Sequence, residues 1–138
     1  MKTLIHIYTF QVLYQHLDTF GHVNNAAYLQ LFEEARWDMI EKNGYGLKKI
    51  QETKKGPTIL DVQIRYKKEL MFKEPCRIET YLPSHKKKLM YLQQELFNSQ
   101  GEQAAKAFFT FAFFDLEQRK IIPPTEDWLK AVNTSLLL

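Results

Sequence analysis

The sequence contains only one cysteine, no long apolar run and no strong excess of either charge, and each absence narrows what the protein can be. Cys76 has no second cysteine with which to form an internal disulfide, which fits a reducing compartment. No stretch approaches the roughly 20 apolar residues that cross a membrane, and the N-terminus lacks the apolar core of a signal peptide. The 19 basic and 16 acidic residues leave a formal net charge of +3, which is too mild to indicate nucleic-acid binding. We therefore expect a cytoplasmic protein with no nucleic-acid partner and no membrane contact.

The remaining composition is typical of one globular domain. Of the 138 residues, 45% are hydrophobic and 14% are aromatic, and chains of about 100–150 residues usually fold around a single core. No repeat, linker or low-complexity segment marks a boundary, so we expect one domain over residues 1–138. Cys76 stands in a strand-like run and is expected to be a small buried residue rather than a nucleophile. The leucines at 136–138 are expected to form a frayed end or a small packing contact.

Five segments alternate between apolar and polar residues as strands do. They cover residues 4–14, 60–66, 76–82, 90–97 and 104–114. In the first, alternate residues from Leu4 to Tyr14 face the core, and His6 among them is interpreted as a packed histidine because no metal-ligating partner stands at a suitable spacing. In the second, Leu60 is expected to share an apolar face with Val62. The last segment is apolar on both faces, which predicts a central strand covered on both sides. A second subunit is one way to cover its outer face.

One long amphipathic helix is predicted between the first two strands. Asn24 or Asn25 can cap it, apolar residues recur at helical spacing over residues 26–41, and Asn43 begins the segment that ends it. Its apolar face comprises Tyr28, Leu31, Phe32, Ala35, Met39 and Ile40. Residues 45–55 are interpreted as a short helical turn or a mobile flap. Because short links join the later strands, we predict an α+β domain in which a five-stranded antiparallel sheet wraps around one long helix.

A polar loop directly before this helix is the candidate active site. A carboxylate such as Asp18 can act as a general base or a nucleophile, and free N–H groups at a helix start can stabilise an oxyanion. Gly21 allows a close approach of backbone or ligand, and His22 can position a substrate or support the loop. Spacing alone favours a purely structural loop, in which Asp18 forms an Asx turn and Asn24 caps the helix. The loop reads Asp18-Thr-Phe-Gly21-His22-Val23-Asn24-Asn25.

This loop and the helix that follows it resemble the hot-dog-fold acyl-CoA thioesterases of the 4-hydroxybenzoyl-CoA thioesterase type. The resemblance covers nearly the whole chain and extends through the segments Tyr28, Phe32-Glu33-Glu34-Ala35-Arg36, Ile64-Arg-Tyr66-Lys-Lys-Glu-Leu70, Phe113-Phe-Asp115-Leu and Pro123-Pro124. It implies a hot-dog fold and hydrolysis of an acyl-CoA thioester to free CoA and a carboxylic acid. It also implies a homodimer or homotetramer in which sheets join edge to edge and active sites lie at the dimer interface. No metal and no cofactor are implied, because coenzyme A is part of the substrate.

The same resemblance assigns roles to individual residues of the loop. Asp18 matches the catalytic carboxylate, as nucleophile or as general base, and the backbone N–H of Asn25 matches the group that polarises the thioester carbonyl. His22 is a further catalytic candidate. Three residues are expected to shape the substrate pocket, namely Gly21, Asn24 and Tyr28. Many relatives carry an arginine and an aspartate where this chain has Leu13 and His16, so the substrate stays open, and His16 can either add a polar group to the site or serve the loop.

A basic run, His85-Lys86-Lys87-Lys88, follows the third predicted strand. Such a run is either a solvated turn or, in a thioesterase, a site for the phosphates of coenzyme A. The lysines that would bind are Lys86, Lys87 and Lys88, and Arg119 with Lys120 is a weaker candidate.

Two other functions and the identity of the acyl group remain open from the sequence. A hot-dog hydratase or dehydratase would also pair an aspartate with a nearby histidine, as Asp18 and His22 do. A non-catalytic acyl-thioester-binding protein would need no intact carboxylate. The acyl chain cannot be read from the sequence, although four residues are candidates for its pocket or for the core: Phe32, Met39, Phe108 and Phe111.

Overall fold

A computed structural model describes residues 2–132, and one antiparallel sheet forms its framework. The elements are β1 (Leu4–Gln11), a 3₁₀ turn (Tyr14–His16), α1 (Asn25–Lys42), α2 (Leu47–Thr53), β2 (Lys55–Tyr66), β3 (Pro75–Tyr81), β4 (Ser84–Lys86), β5 (Leu89–Phe97), β6 (Gln103–Asp115), β7 (Lys120–Ile122) and α3 (Glu126–Ala131). The long strands follow the order β1-β3-β5-β6-β2, while β4 pairs with β5 and β7 with β6. The predicted five-stranded antiparallel sheet and single long helix are confirmed, with two three-residue strands added. The leucines at 136–138 lie outside the described residues.

Helix α1 begins where the sequence predicts, because Asn24 caps it. The Asn24 Oδ1 atom accepts a hydrogen bond from the Ala26 N–H at 2.8 Å. At the other end, Asn43 is the C-cap and Gly44 adopts a φ of +87°, a conformation that glycine tolerates best. All six residues of the predicted apolar face are buried, together with Ala27, so the helix packs its apolar side onto the sheet.

Strand β1 is shorter than predicted, and two of its expected core residues are exposed. Leu4 is 45% exposed, because a β-bulge between Leu4 and His6 shifts the register against β3. Tyr14 is 78% exposed, because the strand ends at Gln11 and the chain enters a 3₁₀ turn. The interpretation of His6 is confirmed, since its Nε2 atom lies 2.8 Å from the Asp38 Oδ2 atom on α1.

Strand β2 lies at the edge of the sheet, and a β-bulge between Ile59 and Asp61 changes which residues face α1. Opposite β6, Val62 pairs with Phe109 and Ile59 pairs with Phe111, so both lie on the inner face. Leu60 is therefore not on the face of Val62, and the predicted alternation was wrong at this residue. A bulge adds one residue to a strand and reverses its side-chain alternation, which simple periodicity cannot anticipate.

Strand β6 lies between β5 and β2, as its two apolar faces predict. Its inner face packs against the core, with Phe109, Phe111 and Phe113 nearly inaccessible. Its outer face is covered only in part within one chain, since Ala112 is buried whereas Phe108 is 40% exposed.

The segments between the long elements add two helices that close the core. Residues 45–55 contain α2, as one of the two predicted alternatives, rather than a flap without structure. Helix α3 places Trp128, which is 2% exposed, against the ring of Tyr45 at a centroid distance of 5.3 Å. Cys76 is buried, as predicted, and burial raises the pKa of its thiol to about 12. Within residues 2–132, no helix is long and apolar enough to span a membrane.

Candidate active site

Asp18 is held in a tight turn that leaves one of its carboxylate oxygens facing His22. The Phe20 N–H donates to Asp18 Oδ1 at 2.8 Å, and the Gly21 N–H donates to the Asp18 carbonyl at 3.2 Å. Gly21 adopts a φ of +83°, which a residue with a side chain adopts only with strain. The Asx turn expected of a structural loop is thus present, and it also fixes the direction of the carboxylate.

His22 lies between two carboxylates. Its Nε2 atom is 3.4 Å from Asp18 Oδ2, and its Nδ1 atom is 3.2 Å from Glu69 Oε2. The backbone holds the ring in place, because the His22 carbonyl accepts from the Asp18 N–H at 2.9 Å and residue 22 forms a β-bridge with Met71. The Asp18–His22–Glu69 row therefore joins the loop before α1 to the segment after β2.

The start of α1 supplies backbone N–H groups beside this row. The Ala26 N–H donates its hydrogen bond to Asn24 Oδ1. The Asn25 N–H stands at the first position of the helix, where an N–H group has no partner within the helix. The Asn25 carbonyl accepts from the Tyr66 hydroxyl at 3.0 Å, which ties the helix start to the end of β2. An N–H at this position can stabilise negative charge on a carbonyl oxygen.

Tyr28 and Tyr66 form an aromatic wall beside the helix start. Their rings meet edge to face with centroids 5.1 Å apart. The Tyr28 hydroxyl donates to the Lys68 carbonyl at 3.2 Å, and burial raises the pKa of this hydroxyl to about 12, so it stays neutral at physiological pH.

These groups surround an open pocket of about 570 Å³. It brings together four residues that the sequence singled out, Asp18, His22, Asn25 and Tyr28. The other lining residues are Phe20, Val23, Tyr66, Lys67, Lys68 and Glu69. Sequence reasoning did not assign the last four of these to the site. The sequence signal that could have identified them is the polar run Tyr66-Lys67-Lys68-Glu69, which stands where the alternating pattern of β2 ends.

Three expected substrate-binding lysines lie elsewhere in the chain. Lys86 is in β4, and Lys87, with a φ of 56°, turns the chain into β5. The strand pairings show how far these lysines lie from the pocket. Lys86 is level with Ala112 of β6, because Lys86 pairs with Leu89 and Leu89 pairs with Ala112, and Ala112 in turn pairs with Thr58 on β2. Tyr66 pairs with Ala105 of β6, so the lysines lie about 24 Å along the same sheet from the pocket.

His16 is a buried member of the loop, 5% exposed. Its Nδ1 atom accepts from the Leu13 N–H at 2.9 Å, and its carbonyl accepts from the Asn24 N–H at 2.8 Å. Of the two expected roles, the structure supports the loop role, because these bonds hold the 3₁₀ turn against the start of α1. Among residues 2–132, no group of three His, Cys, Asp or Glu side chains is placed to hold a metal ion.

A family model described as the thioesterase-like superfamily matches residues 12–132, which is most of the chain. The chain belongs to the thioesterase-like superfamily. The match includes the loop from Asp18 to Asn25, all of α1 and the whole sheet after it. The predictions of a hot-dog fold and of a thioester hydrolase are thereby confirmed for this thioesterase-like chain.

Individual relatives of the thioesterase-like chain agree with this assignment. It is 31% identical over 108 residues to the long-chain acyl-CoA thioesterase FadM of Escherichia coli strain K12, covering 78% of this chain and 81% of FadM. Its structure matches YbaW, a probable thioesterase from Escherichia coli, with a TM-score of 0.81 and 26% identity, over 93% of this chain and 96% of YbaW. It also matches a hypothetical protein from Staphylococcus aureus solved in complex with CoA, with a TM-score of 0.87 and 18% identity, over 97% and 84% of the two chains.

Proposed function

We propose that the protein hydrolyses acyl-CoA thioesters to free CoA and a carboxylic acid, with the chemistry at Asp18. The observation that carries the proposal is the pocket in which the Asp18 carboxylate and the start of α1 line the same space. A thioester needs only a polarised carbonyl and an activated nucleophile for hydrolysis. FadM and the CoA-bound structural neighbour support an acyl-CoA as the substrate.

In the proposed reaction, the thioester carbonyl oxygen accepts a hydrogen bond from the Asn25 N–H. In one route the Asp18 carboxylate removes a proton from a water that attacks the acyl carbon, and the C–S bond breaks as the carboxylic acid forms. In the other route the carboxylate attacks the acyl carbon itself, the C–S bond breaks to leave a mixed anhydride on Asp18, and water then hydrolyses this anhydride to release the carboxylic acid and free the carboxylate. The CoA sulfur leaves as a thiolate and takes up a proton. His22 faces Asp18 Oδ2 at 3.4 Å, where it can hold the carboxylate in position or pass on this proton.

The rest of the pocket would hold the substrate around the reacting carbonyl. Gly21 and Asn24 set the shape of the loop and the helix start, and Tyr28 forms the wall. Lys67 and Lys68 line the pocket and add positive charge to its wall, which favours a substrate that carries phosphates.

A homodimer that joins two sheets through β2 is part of the proposal. β2 is an edge strand with apolar side chains in water, since Ile59 is 42%, Leu60 46% and Val62 40% exposed. An exposed apolar edge of this kind is a template for pairing with another strand.

In such a dimer, lysines 86–88 of one subunit would lie near the substrate pocket of the other. A two-fold axis that pairs β2 with its copy sets the Thr58 end of one strand beside the Tyr66 end of the other. The β4–β5 turn, which lies at the Thr58 end of the sheet, would then approach the pocket of the other subunit. We propose that Lys86, Lys87 and Lys88 contact the CoA phosphates from there.

The reaction class is tested by incubating the purified protein with acyl-CoA and enoyl-CoA substrates and following two signals. A thioesterase releases free thiol from both, whereas a hydratase removes the enoyl absorbance without releasing thiol. A hydratase is the alternative tested because it would also pair an aspartate with a nearby histidine, as Asp18 and His22 do here. Loss of the enoyl signal alone, or acyl-CoA binding with no reaction over the whole set, would overturn the proposed hydrolysis.

A further inference from the structure

One face of α1 runs from the active-site pocket to a second, more enclosed cavity. Asn25 and Tyr28 line the pocket at the start of the helix, and Glu33, Arg36 and Ile40 line the cavity near its end. At about 3.6 residues per turn, Asn25, Arg36 and Ile40 fall within about 60° of one another around the helix axis, so they lie along the same side of the helix. The pocket and the cavity are therefore two ends of one surface of α1.

The inner face of β2 runs alongside this surface of α1. Tyr66, Ile64 and Val62 occupy it near the pocket, and the bulge at Leu60 keeps Ile59 on the same face near the cavity. Without the bulge, Leu60 would take the inner position and Ile59 would face outward. The bulge thus gives β2 an unbroken apolar inner face between the two sites, although β2 is an edge strand and stays partly open to solvent.

The cavity has a volume of about 120 Å³ and a mainly apolar wall, in which Glu33 and Arg36 are the charged residues. Its lining residues are Glu33, Arg36, Trp37, Met39, Ile40, Pro57, Ile59, Leu92, Phe111, Trp128 and Val132. The Arg36 guanidinium is already engaged, because it donates to Gln94 Oε1 at 3.0 Å and lies 4.3 Å from the centre of the Phe109 ring. Protein interiors are close-packed, and an apolar void loses the contacts that its wall could make. An aliphatic ligand would restore those contacts.

We propose that this cavity binds the far end of a long aliphatic acyl chain whose thioester carbonyl lies at the Asn25 N–H. The proposal rests on the thioesterase function proposed above and specifies its substrate class. From Asn25 the helix rises about 12 Å to Glu33 and about 22 Å to Ile40. An extended chain advances about 1.2 Å per bond, as the polypeptide backbone does. The cavity mouth is thus reached by acyl chains of about ten carbons, and its end by chains of about eighteen.

The tryptophans of the protein report directly on occupancy of the cavity. The chain contains two tryptophans, Trp37 and Trp128, and both line the cavity. Bromine quenches tryptophan fluorescence at short range, so we would titrate the protein with hexadecanoate brominated at its terminal carbon. The same acid brominated next to the carboxylate, and a terminally brominated butanoate, serve as comparison ligands. We expect the terminal bromine of hexadecanoate to quench at least half of the fluorescence, with little quenching by the other two acids.

The substrate preference of two variants at one cavity residue supplies the second measurement. Ile40→Phe fills the cavity and is expected to lower the ratio of kcat/KM for hexadecanoyl-CoA to that for butanoyl-CoA about tenfold. Ile40→Ala enlarges it and is expected to move the preferred chain length upward. For the wild type, each methylene beyond the mouth should raise kcat/KM about fourfold, which corresponds to about 0.8 kcal/mol. The control Ile7→Phe changes an exposed residue of β1 and should leave the ratio unchanged.

The fluorescence test uses free acids, so its outcome does not depend on catalysis. Equal quenching by both brominated hexadecanoates, or none, would overturn the acyl-chain site even if the protein hydrolyses thioesters. Quenching by the terminally brominated hexadecanoate without any thioester hydrolysis would instead support the acyl-chain site and overturn the proposed function. An unchanged chain-length ratio in both Ile40 variants would also contradict the site.

Discussion

At the scale of single residues, His22 depends on both of its carboxylate neighbours. Glu69 faces Nδ1 and Asp18 faces Nε2, so Glu69 helps to fix the ring that contacts the candidate catalytic group. Glu69 is itself 65% exposed in its side chain, which limits the strength of this contact.

Glu69→Gln keeps the shape of the side chain and removes its charge. We expect kcat to fall about 2–10-fold with little change in KM, as for the loss of one hydrogen bond of about 0.5–1.5 kcal/mol. Steady-state thiol release measures this, and Glu117→Gln, an exposed glutamate in the turn after β6, is the matched control. Equal kcat values for the two variants would contradict a positioning role for Glu69.

The residues of the candidate site differ in how far the sequence could predict them. Asp18, His22 and Asn25 are contiguous with the helix start, and a motif of that kind is visible in a single segment. Glu69 and Tyr66 reach the same pocket from the far end of β2, about 45 residues later, through the pairing of distant elements. Local periodicity carries no information on such a juxtaposition, so only the fold could place them.

At the scale of elements, the Asp38 carboxylate is one of the polar contacts that attach β1 to α1. Asp38 lies 2.8 Å from His6 Nε2 and 3.0 Å from Lys42 Nζ. Burial alone would raise the pKa of Asp38, but hydrogen bonds and charge from Lys42 and His6 outweigh it and hold the pKa below its ordinary value. Ionised Asp38 therefore stabilises the fold at neutral pH, and this contribution is lost as the pH falls through the lowered pKa.

Asp38→Asn should lower the free energy of unfolding by about 0.5–1 kcal/mol at pH 7, a typical value for a partly exposed ion-pair network. The difference between variant and wild type should shrink at a pH below the lowered pKa of Asp38, where the wild-type carboxyl also becomes protonated. Urea unfolding at the two pH values measures it, with Asp127→Asn on α3 as the control for an exposed aspartate. A deficit of equal size at both pH values would show that the effect is not electrostatic.

The helices and strands differ in how well the spacing of apolar residues predicted which side chains are buried. The apolar stripe of α1 is long and regular, and all six residues predicted for it are buried. Both alternation errors, at Leu4 and at Leu60, fall at β-bulges, where one extra residue reverses the inward and outward directions. Strand β4 was missed because a three-residue segment is too short for alternation to be recognised.

At the scale of the whole molecule, the proposal places lysines 86–88 beside the pocket of a second subunit. Leu60→Asp places a charge on the exposed apolar edge and should shift the protein from a dimer towards a 16.4 kDa monomer. Light scattering coupled to size exclusion measures the mass, and Leu116→Asp, which is 38% exposed in the turn after β6, is the matched control. A wild type that is already monomeric, or a Leu60→Asp dimer as stable as the wild type, would contradict the β2 interface.

The central claim is that Asp18 carries the chemistry of thioester hydrolysis. The most direct test is the kcat of Asp18→Asn for acyl-CoA hydrolysis, because the asparagine oxygen can still accept the hydrogen bond from the Phe20 N–H and so preserve the loop. We expect a fall of about 10²–10⁴-fold with unchanged mass and circular dichroism, while Asp127→Asn keeps full activity. An Asp18→Asn protein that releases thiol at the wild-type rate would contradict the account.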